Sequence, residues 1–232
     1  MSSQYLYLAI NLASIIIPLI WSFERRVYFI RYWKVVLSSI TLTMLLFIPW
    51  DIYFTKIGVW GFNEQYITGL SLFGLPIEEY LFFICIPYAS LFTHEALKYY
   101  IPDNPLDKVS NGLIYFFIII LFILIGIGYT NWYTVSATVL AFLVIVIIKY
   151  FIRSKNLNRF FFSYILILIP FFIVNGALTG SITSEPVVWY NNDENLGFRL
   201  GTIPIEDTIY GLSLLFINMS LFEYFKTKKA FN

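Results

Sequence analysis

Apolar residues run along this chain in long blocks broken by short polar or charged segments, and the blocks have the length of bilayer-crossing helices. Seven spans are predicted, at 4–22, 32–54, 76–94, 112–129, 131–150, 160–178 and 203–225. Each is close to the roughly 20 residues that cross a ~30 Å hydrocarbon core. The predicted class is an all-α integral membrane protein. The first block has no basic residue ahead of it and several behind it, so it is expected to stay as a helix rather than be removed as a signal peptide.

Composition agrees with this pattern. Of 232 residues, 59% are hydrophobic and 12% charged, with mean hydropathy +0.75. Soluble domains carry about 25% charged residues. A net charge of +1 offers no basic surface to nucleic acid. The single Cys85 excludes an intrachain disulfide and any CxxC motif, and the single His94 argues against a histidine metal site. No GxGxxG follows a strand-like run. No metal or cofactor is therefore expected.

Charge sets the expected orientation. Every Lys and Arg except Lys56 and Arg199 falls in loops on one side, including Arg25, Arg26, Arg31, Lys34, Arg153, Lys155, Lys226 and Lys228. Positive charge stays in the cytoplasm, which places the N-terminus outside and the C-terminus inside. The protein is expected in the cell membrane as a multi-pass chain.

A gap-free shift of 128 residues reveals an internal repeat. It matches Tyr5 to Tyr133, Arg25 to Arg153, Asn63 to Asn191 and Glu95 to Glu223. Pro76, Ile77 and Glu78 fall on Pro204, Ile205 and Glu206, and Glu79 falls on Asp207. The expected organisation is a first repeat at 1–110, a linking helix at 111–130 and a second repeat at 131–232. Three helices per repeat would invert the second copy; the spare fourth helix restores its direction and makes the repeat parallel. Both acidic motifs then lie on the non-cytoplasmic side.

Those motifs admit two readings. Pro followed by acids suits a helix start, because proline has no N–H to lose there and the dipole favours carboxylates by about 0.3–1 kcal/mol. Against simple capping, the motif occurs twice in one register, and each copy follows an apolar flank, "YITGLSLFGL" and "LGFRLGTI". Ionisable groups at membrane depth are costly and usually functional. Glu206, Tyr210 and Ser213 are spaced as one polar helix stripe. Paired carboxylates in a dry site can divide their roles, one protonated and one ionised.

Aromatic residues are abundant, with 24 Phe, 18 Tyr and 6 Trp. Most are expected in interfacial belts or against lipid. Trp60, Phe62, Tyr80, Phe82 and Phe83 surround the first motif; Trp189, Tyr190, Phe198 and Tyr210 surround the second. Aromatic faces stabilise cations by about 0.5–2 kcal/mol. Acids among aromatic walls suit proton-initiated carbocation chemistry on a polyene. Asp51 lies at the end of the second span on the motif side and has Thr179 as its repeat partner. Asn63 and Asn191 either cap turns or line the site. His94 and Glu95 are expected at the interface, and Glu223 is expected to pair with Lys226 at i+3.

At "GLPIEEYLFF" and "GTIPIEDTIYGL", with "PWD" and "GVWGFN" upstream, the chain resembles the membrane-integral lycopene cyclases. These are distinct from the flavin-binding type and related to the cyclase half of fungal bifunctional carotenoid enzymes. The resemblance spans nearly the whole length and looks like the form with both halves fused. It implies an isomerase without net redox change that converts lycopene to β-carotene in carotenoid biosynthesis. Lycopene and other carotenes dissolved in the bilayer are the implied partners, alongside other carotenoid enzymes. Glu78 and Glu206 are expected as the core acid and base, partnered by Glu79 and Asp207, with donor and acceptor unassigned. The halves depart from each other at Asp51/Thr179, and Trp189 is one position out of register with Trp60.

Rival functions are weaker. A retinal photoreceptor needs a lysine in the last helix, and 203–225 has none. A membrane prenyltransferase needs two Asp-rich motifs, and "NNDEN" is one at best. A proton-coupled carrier is the runner-up, as is a cyclase that makes ε-rings on other C40 or C50 carotenoids.

Overall fold

The computed structural model describes residues 3–108, 110–152, 154 and 156–230; Arg153 and Lys155 lie outside them. The helices are α1 (Leu6–Trp21), α2 (Trp33–Ile57), α3 (Ile77–Tyr100), α4 (Ser110–Ile127), α5 (Trp132–Val146), α6 (Leu157–Leu178) and α7 (Ile205–Ala230). A π-turn, Ile147–Phe151, extends α5. Among the described residues, six helices are long and apolar enough to cross a membrane; the α4 segment, Gly112–Ile127, is shorter. Rows of exposed apolar side chains, such as Ile16 and Ile20 on α1 or Ile119 and Phe122 on α4, are what a helix facing lipid rather than water presents.

Three short antiparallel strand pairs sit at one end of the helices. β1 (Trp60–Phe62) pairs with β4 (Val188–Tyr190), β2 (Ser71–Leu72) with β3 (Leu75–Pro76), and β5 (Arg199–Leu200) with β6 (Ile203–Pro204). In the first pair Gly61 faces Trp189 and Trp60 faces Tyr190. Positions 61 and 189 stand in the 128-residue register. The flanking bonds obey it as well, Asn63 N–H to the Val187 carbonyl and Asn191 N–H to the Val59 carbonyl. Gly61 is required at that crossing, since a Cβ there would meet the Trp189 ring at 2.3 Å.

The packing of the helices follows the same register. α1 lies against α3 and α5 against α7, while α2 packs on α7 and α6 on α3. The last two contacts differ, because α2 meets α7 more extensively than α6 meets α3. Room is left on the α6 side.

At the far end from the strands, α3 and α7 extend to Tyr100 and Ala230, beyond the expected ends of their spans. Charged turns continue there because they pair across the two helices. Lys98 Nζ lies 2.7 Å from Glu223 Oε1, and Lys226 donates to Glu95. Glu223 therefore pairs across helices and not with Lys226 on its own. Each pair is the 128-residue image of the other, the mutual arrangement of a self-complementary contact. His94 is fully buried rather than interfacial, with Nδ1 2.7 Å from Ser163 Oγ and Nε2 3.4 Å from Glu223 Oε1.

Removing a charged partner from such a half-buried pair costs about 1.5–3 kcal/mol. Glu95→Lys should therefore lower the thermal transition of the detergent-solubilised protein by several degrees. Adding Lys226→Glu should recover most of the loss. A melting temperature unmoved by Glu95→Lys would refute the pairing.

Candidate active site

Each acidic motif begins at a tight hairpin. The β2–β3 turn places Phe73 and Gly74 at positive φ (52° and 84°), and the β5–β6 turn does so at Gly201 (66°). Left-handed backbone at hairpin turns matches the twist of the flanking strands. Pro76 ends its hairpin in an extended conformation, φ −62° and ψ 147°, and stands at the N-cap of α3, one residue before the first helical position that proline favours. Glu78 and Glu79 then occupy the first turn of α3, and Glu206 and Asp207 the first turn of α7. All four are buried, at 0%, 7%, 0% and 3% exposure.

The first acid of each motif is turned towards its own loop. Glu78 Oε1 accepts from the Thr68 N–H at 2.8 Å, and Glu206 Oε1 accepts from the Leu196 N–H at 2.8 Å. The Thr134 hydroxyl adds a second bond to Glu206 at 2.7 Å, and Asn11 Nδ2 donates to the Glu78 carbonyl at 2.7 Å. These carboxylates tie the loop between strand and hairpin to the helix that follows.

The second acid of each motif faces inward. Tyr7 donates its hydroxyl to Glu79. Asp207 accepts three bonds, from Tyr133 at 2.5 Å, Asn175 Nδ2 at 2.7 Å and Tyr190 at 2.9 Å. The phenol of Tyr190, on β4, is pushed well above its ordinary range by burial and then by the charge of Asp207, so it is held as a donor. Tyr7 and Tyr133 play matching parts for their acids, yet they are 126 residues apart. The 128-residue register instead joins Tyr133 to Tyr5, which is 45% exposed. The functional match is thus displaced by two residues.

Glu79 and Asp207 open onto one cavity of about 530 Å³. Asp51 joins them from α2, buried to 3%. Asp51 sits more than a turn inside α2, which runs on to Ile57, rather than at its end. Three carboxylates therefore meet in one chamber whose other walls are mostly apolar. Glu78 and Glu206 do not line it.

The expected aromatic wall is divided. Trp60, Phe62, Phe82 and Tyr210 line the chamber. Trp189 and Phe198 are 42% and 59% exposed and lie outside it. Strand alternation gives the reason for Trp189: Val188 and Tyr190 face the chamber, so the residue between them faces away, over Gly61. Phe83 is buried against Phe47 rather than exposed to the chamber. Tyr80 is turned to its hairpin and donates to the Leu72 carbonyl at 2.9 Å. Asn63 and Asn191 cap short 3₁₀ turns through the N–H groups of Gln65 and Asp193, and neither lines the chamber. On α7 the chamber face begins at Asp207 and continues through Tyr210, Gly211 and Leu214. The Glu206–Tyr210–Ser213 stripe is not that face; Ser213 is buried and donates to the Ile209 carbonyl.

Sequence reasoning passed over Tyr7 and Asn175 and read Tyr133 only as a repeat match. A signal existed for Asn175, an amide inside an apolar span. None marked Tyr7 or Tyr133 among so many tyrosines.

The sequence model of a family described as lycopene cyclase matches residues 4–97 and 130–225. The unmatched interval contains α4. Among curated proteins, a bifunctional lycopene cyclase/phytoene synthase from Phycomyces blakesleeanus is 32% identical over 111 residues, 44% of this chain and 18% of that protein. One of the same description from Podospora anserina is 28% identical over 102 residues, 44% of this chain and 16% of that protein. Another from Neurospora crassa is 30% identical over 97 residues, 42% of this chain and 14% of that protein. These alignments span less than a fifth of the length of the relatives. No solved structure matches. The family match takes in both acidic motifs and most of the chain, and on that ground the chain belongs to the lycopene cyclase family.

Proposed function

We propose that the protein is a lycopene β-cyclase that closes the linear ends of the carotene by proton transfer within the membrane. The observation that carries this reading is the shared chamber, where Glu79 and Asp207 face each other's space amid aromatic and aliphatic walls. A chamber of that kind admits a hydrocarbon and holds water out, so the carboxyl groups are the proton carriers within reach. No redox step is needed, because ring closure is an isomerisation.

Donor accounting divides the roles. Asp207 accepts from three groups that can each donate, which suits the acceptor-only carboxylate. Glu79 receives one hydroxyl and shares the chamber with Asp51 and Asp207. Like charges close together in a dry site disfavour joint ionisation, so one member keeps a proton. In our proposal Glu79 delivers its proton to C2 of the end group. The C1 cation is attacked by the C5=C6 double bond, forming the C1–C6 bond and moving the charge to C5. Asp207 removes the proton from C6, leaving a C5=C6 double bond and a β-ring. Trp60 and Tyr210, which line the chamber, are the aromatic groups that stabilise the passing cation. Glu78 and Glu206 act as positioning residues that hold the loops over the chamber. This reverses the weighting expected from sequence, and what supports the reversal is which acid lines the cavity.

The fold is read as two homologous halves, α1–α3 and α5–α7, joined by α4 and related by a local two-fold axis through Gly61 and Trp189. The strand register, the crossed ion pairs and the unmatched interval around α4 support this. Seven crossings with the N-terminus outside follow from the charge pattern and place both motifs on the non-cytoplasmic side.

Expression in lycopene-accumulating cells tests the reading directly. The unsubstituted chain should yield β-carotene. Glu79→Gln and Asp207→Asn should each reduce cyclisation about 100-fold or more at equal protein level. Glu78→Gln and Glu206→Gln should instead lower the yield of folded protein while leaving measurable turnover per folded molecule. Lycopene that stays unchanged with the well-expressed parent chain would favour a proton-coupled carrier. Full activity of Asp207→Asn would remove Asp207 as the base. Loss of the β-ring in favour of an ε-ring in the parent chain would show that the proton leaves C4 instead.

A further inference from the structure

The acids are arranged about a near two-fold, but the chamber is not. Its walls come from α1, α3, α6 and α7, whereas α2 contributes only Asp51 and α5 only Tyr133. On α1 the lining residues Tyr7, Ile10, Ser14 and Ile17 recur at helical spacing on one face. On α3 the lining extends from Glu79 to Thr93, about 21 Å of helix axis. The chamber is thus a slit along the helices rather than a pocket at their end.

One end of the slit is blind. β1 and β4 lie across it, with Trp60, Phe62, Val188 and Tyr190 facing in above the acids. One long side is open. Ala13 and Ile17 on α1, and Pro170 and Ile173 on α6, line the slit while remaining exposed, Ile17 to 64% and Ile173 to 70%. Three hydroxyls along the slit are turned to backbone: Ser14 donates to the Asn11 carbonyl at 2.7 Å, Thr93 to Ala89 at 2.8 Å, and Tyr164 to Thr208. What remains facing the opening is hydrocarbon, at a level where the outer surfaces of α1 and α6 are hydrocarbon too. The opposite flank is filled, because α2 packs on α7 and α4 closes on α5.

We infer that the carotene reaches the acids sideways from the bilayer, through a mouth between α1 and α6, and that each binding event presents a single end group. The end group sits at the blind end beneath the strands. The polyene lies along α3 and leaves between α1 and α6 into lipid. With the acids at the end of the slit that the strands close, a long rigid substrate cannot turn around inside. The second ring therefore requires release of a monocyclic carotene and its return by the other end. This inference rests on the cyclase reading for its substrate.

A reversible block at the mouth tests it. Cys85, the one native cysteine, is buried, so a cysteine introduced on the surface is the accessible thiol. Ala13→Cys and, on the opposite flank, Leu143→Cys would be labelled with benzyl methanethiosulfonate, with labelling verified by mass. Lycopene binding would be read by quenching of tryptophan emission, and ring formation by pigment analysis. Labelled Ala13→Cys should lose both relative to its unlabelled form and regain them with a thiol reductant, whereas labelled Leu143→Cys should not change. Binding that survives the label at Ala13, falls equally at Leu143, or is absent from the unlabelled protein overturns the mouth. Binding that responds as expected without any ring formation counts against the cyclase reading alone. In a parallel run, ¹³C-labelled lycopene chased with unlabelled lycopene should give free monocyclic carotene before the bicyclic product. Bicyclic product formed with no free monocyclic species overturns the one-end rule.

Discussion

A carboxylate buried among lipid-facing helices must find its hydrogen-bond donors inside the chain, and this chain buries four of them at two helix starts. Much of the surrounding structure answers that demand. Backbone N–H groups of the loops meet Glu78 and Glu206, phenols of α1, α5 and β4 meet Glu79 and Asp207, and an amide of α6 completes the set for Asp207. Because those donors come from distant segments, the acids fix how the helices are arranged around them. The tyrosine of α1 must reach α3, and the tyrosine of α5 must reach α7.

The same demand separates the two acids of each motif. Consecutive residues on a helix point about 100° apart, so the two acids of each pair meet different surroundings. The outer member meets the loop and keeps the strands in place. The inner member meets the chamber. Duplication places an inner acid on both α3 and α7, and the asymmetry of their surroundings, one donor against three, makes two equivalent groups unequal. Asp51 adds to that inequality, because its counterpart Thr179 bonds to the Asn175 carbonyl and to Thr202 and does not line the chamber.

Asymmetry also creates the space. Two equally close-packed halves would leave no slit for a hydrocarbon. Close contact of α2 on α7 and looser contact of α6 on α3 keep one side solid and the other open. The reciprocal ion pairs Lys98–Glu223 and Lys226–Glu95 hold α3 and α7 together at the end away from the acids. The chemistry proposed for those two helices requires that their first turns stay in fixed relation.

Local physics determined much of this from sequence alone. Apolar blocks of bilayer length located the helices, since a backbone in lipid has few other ways to satisfy itself. The 128-residue register and the proline-led acids pointed to the candidate site, because a charged pair following an apolar flank is rare without purpose. What sequence could not supply was direction. Whether Glu78 or Glu79 faces the chamber depends on the rotation of α3 against its neighbours. Trp60 lines the chamber and Trp189 does not because of strand phase, and Tyr7 stands out from seventeen other tyrosines only once α1 is laid against α3. Helix packing and strand register are set by contacts between residues far apart in the chain, so the choice of acid, the donors that tune it and the open flank of the slit belong to the tertiary structure.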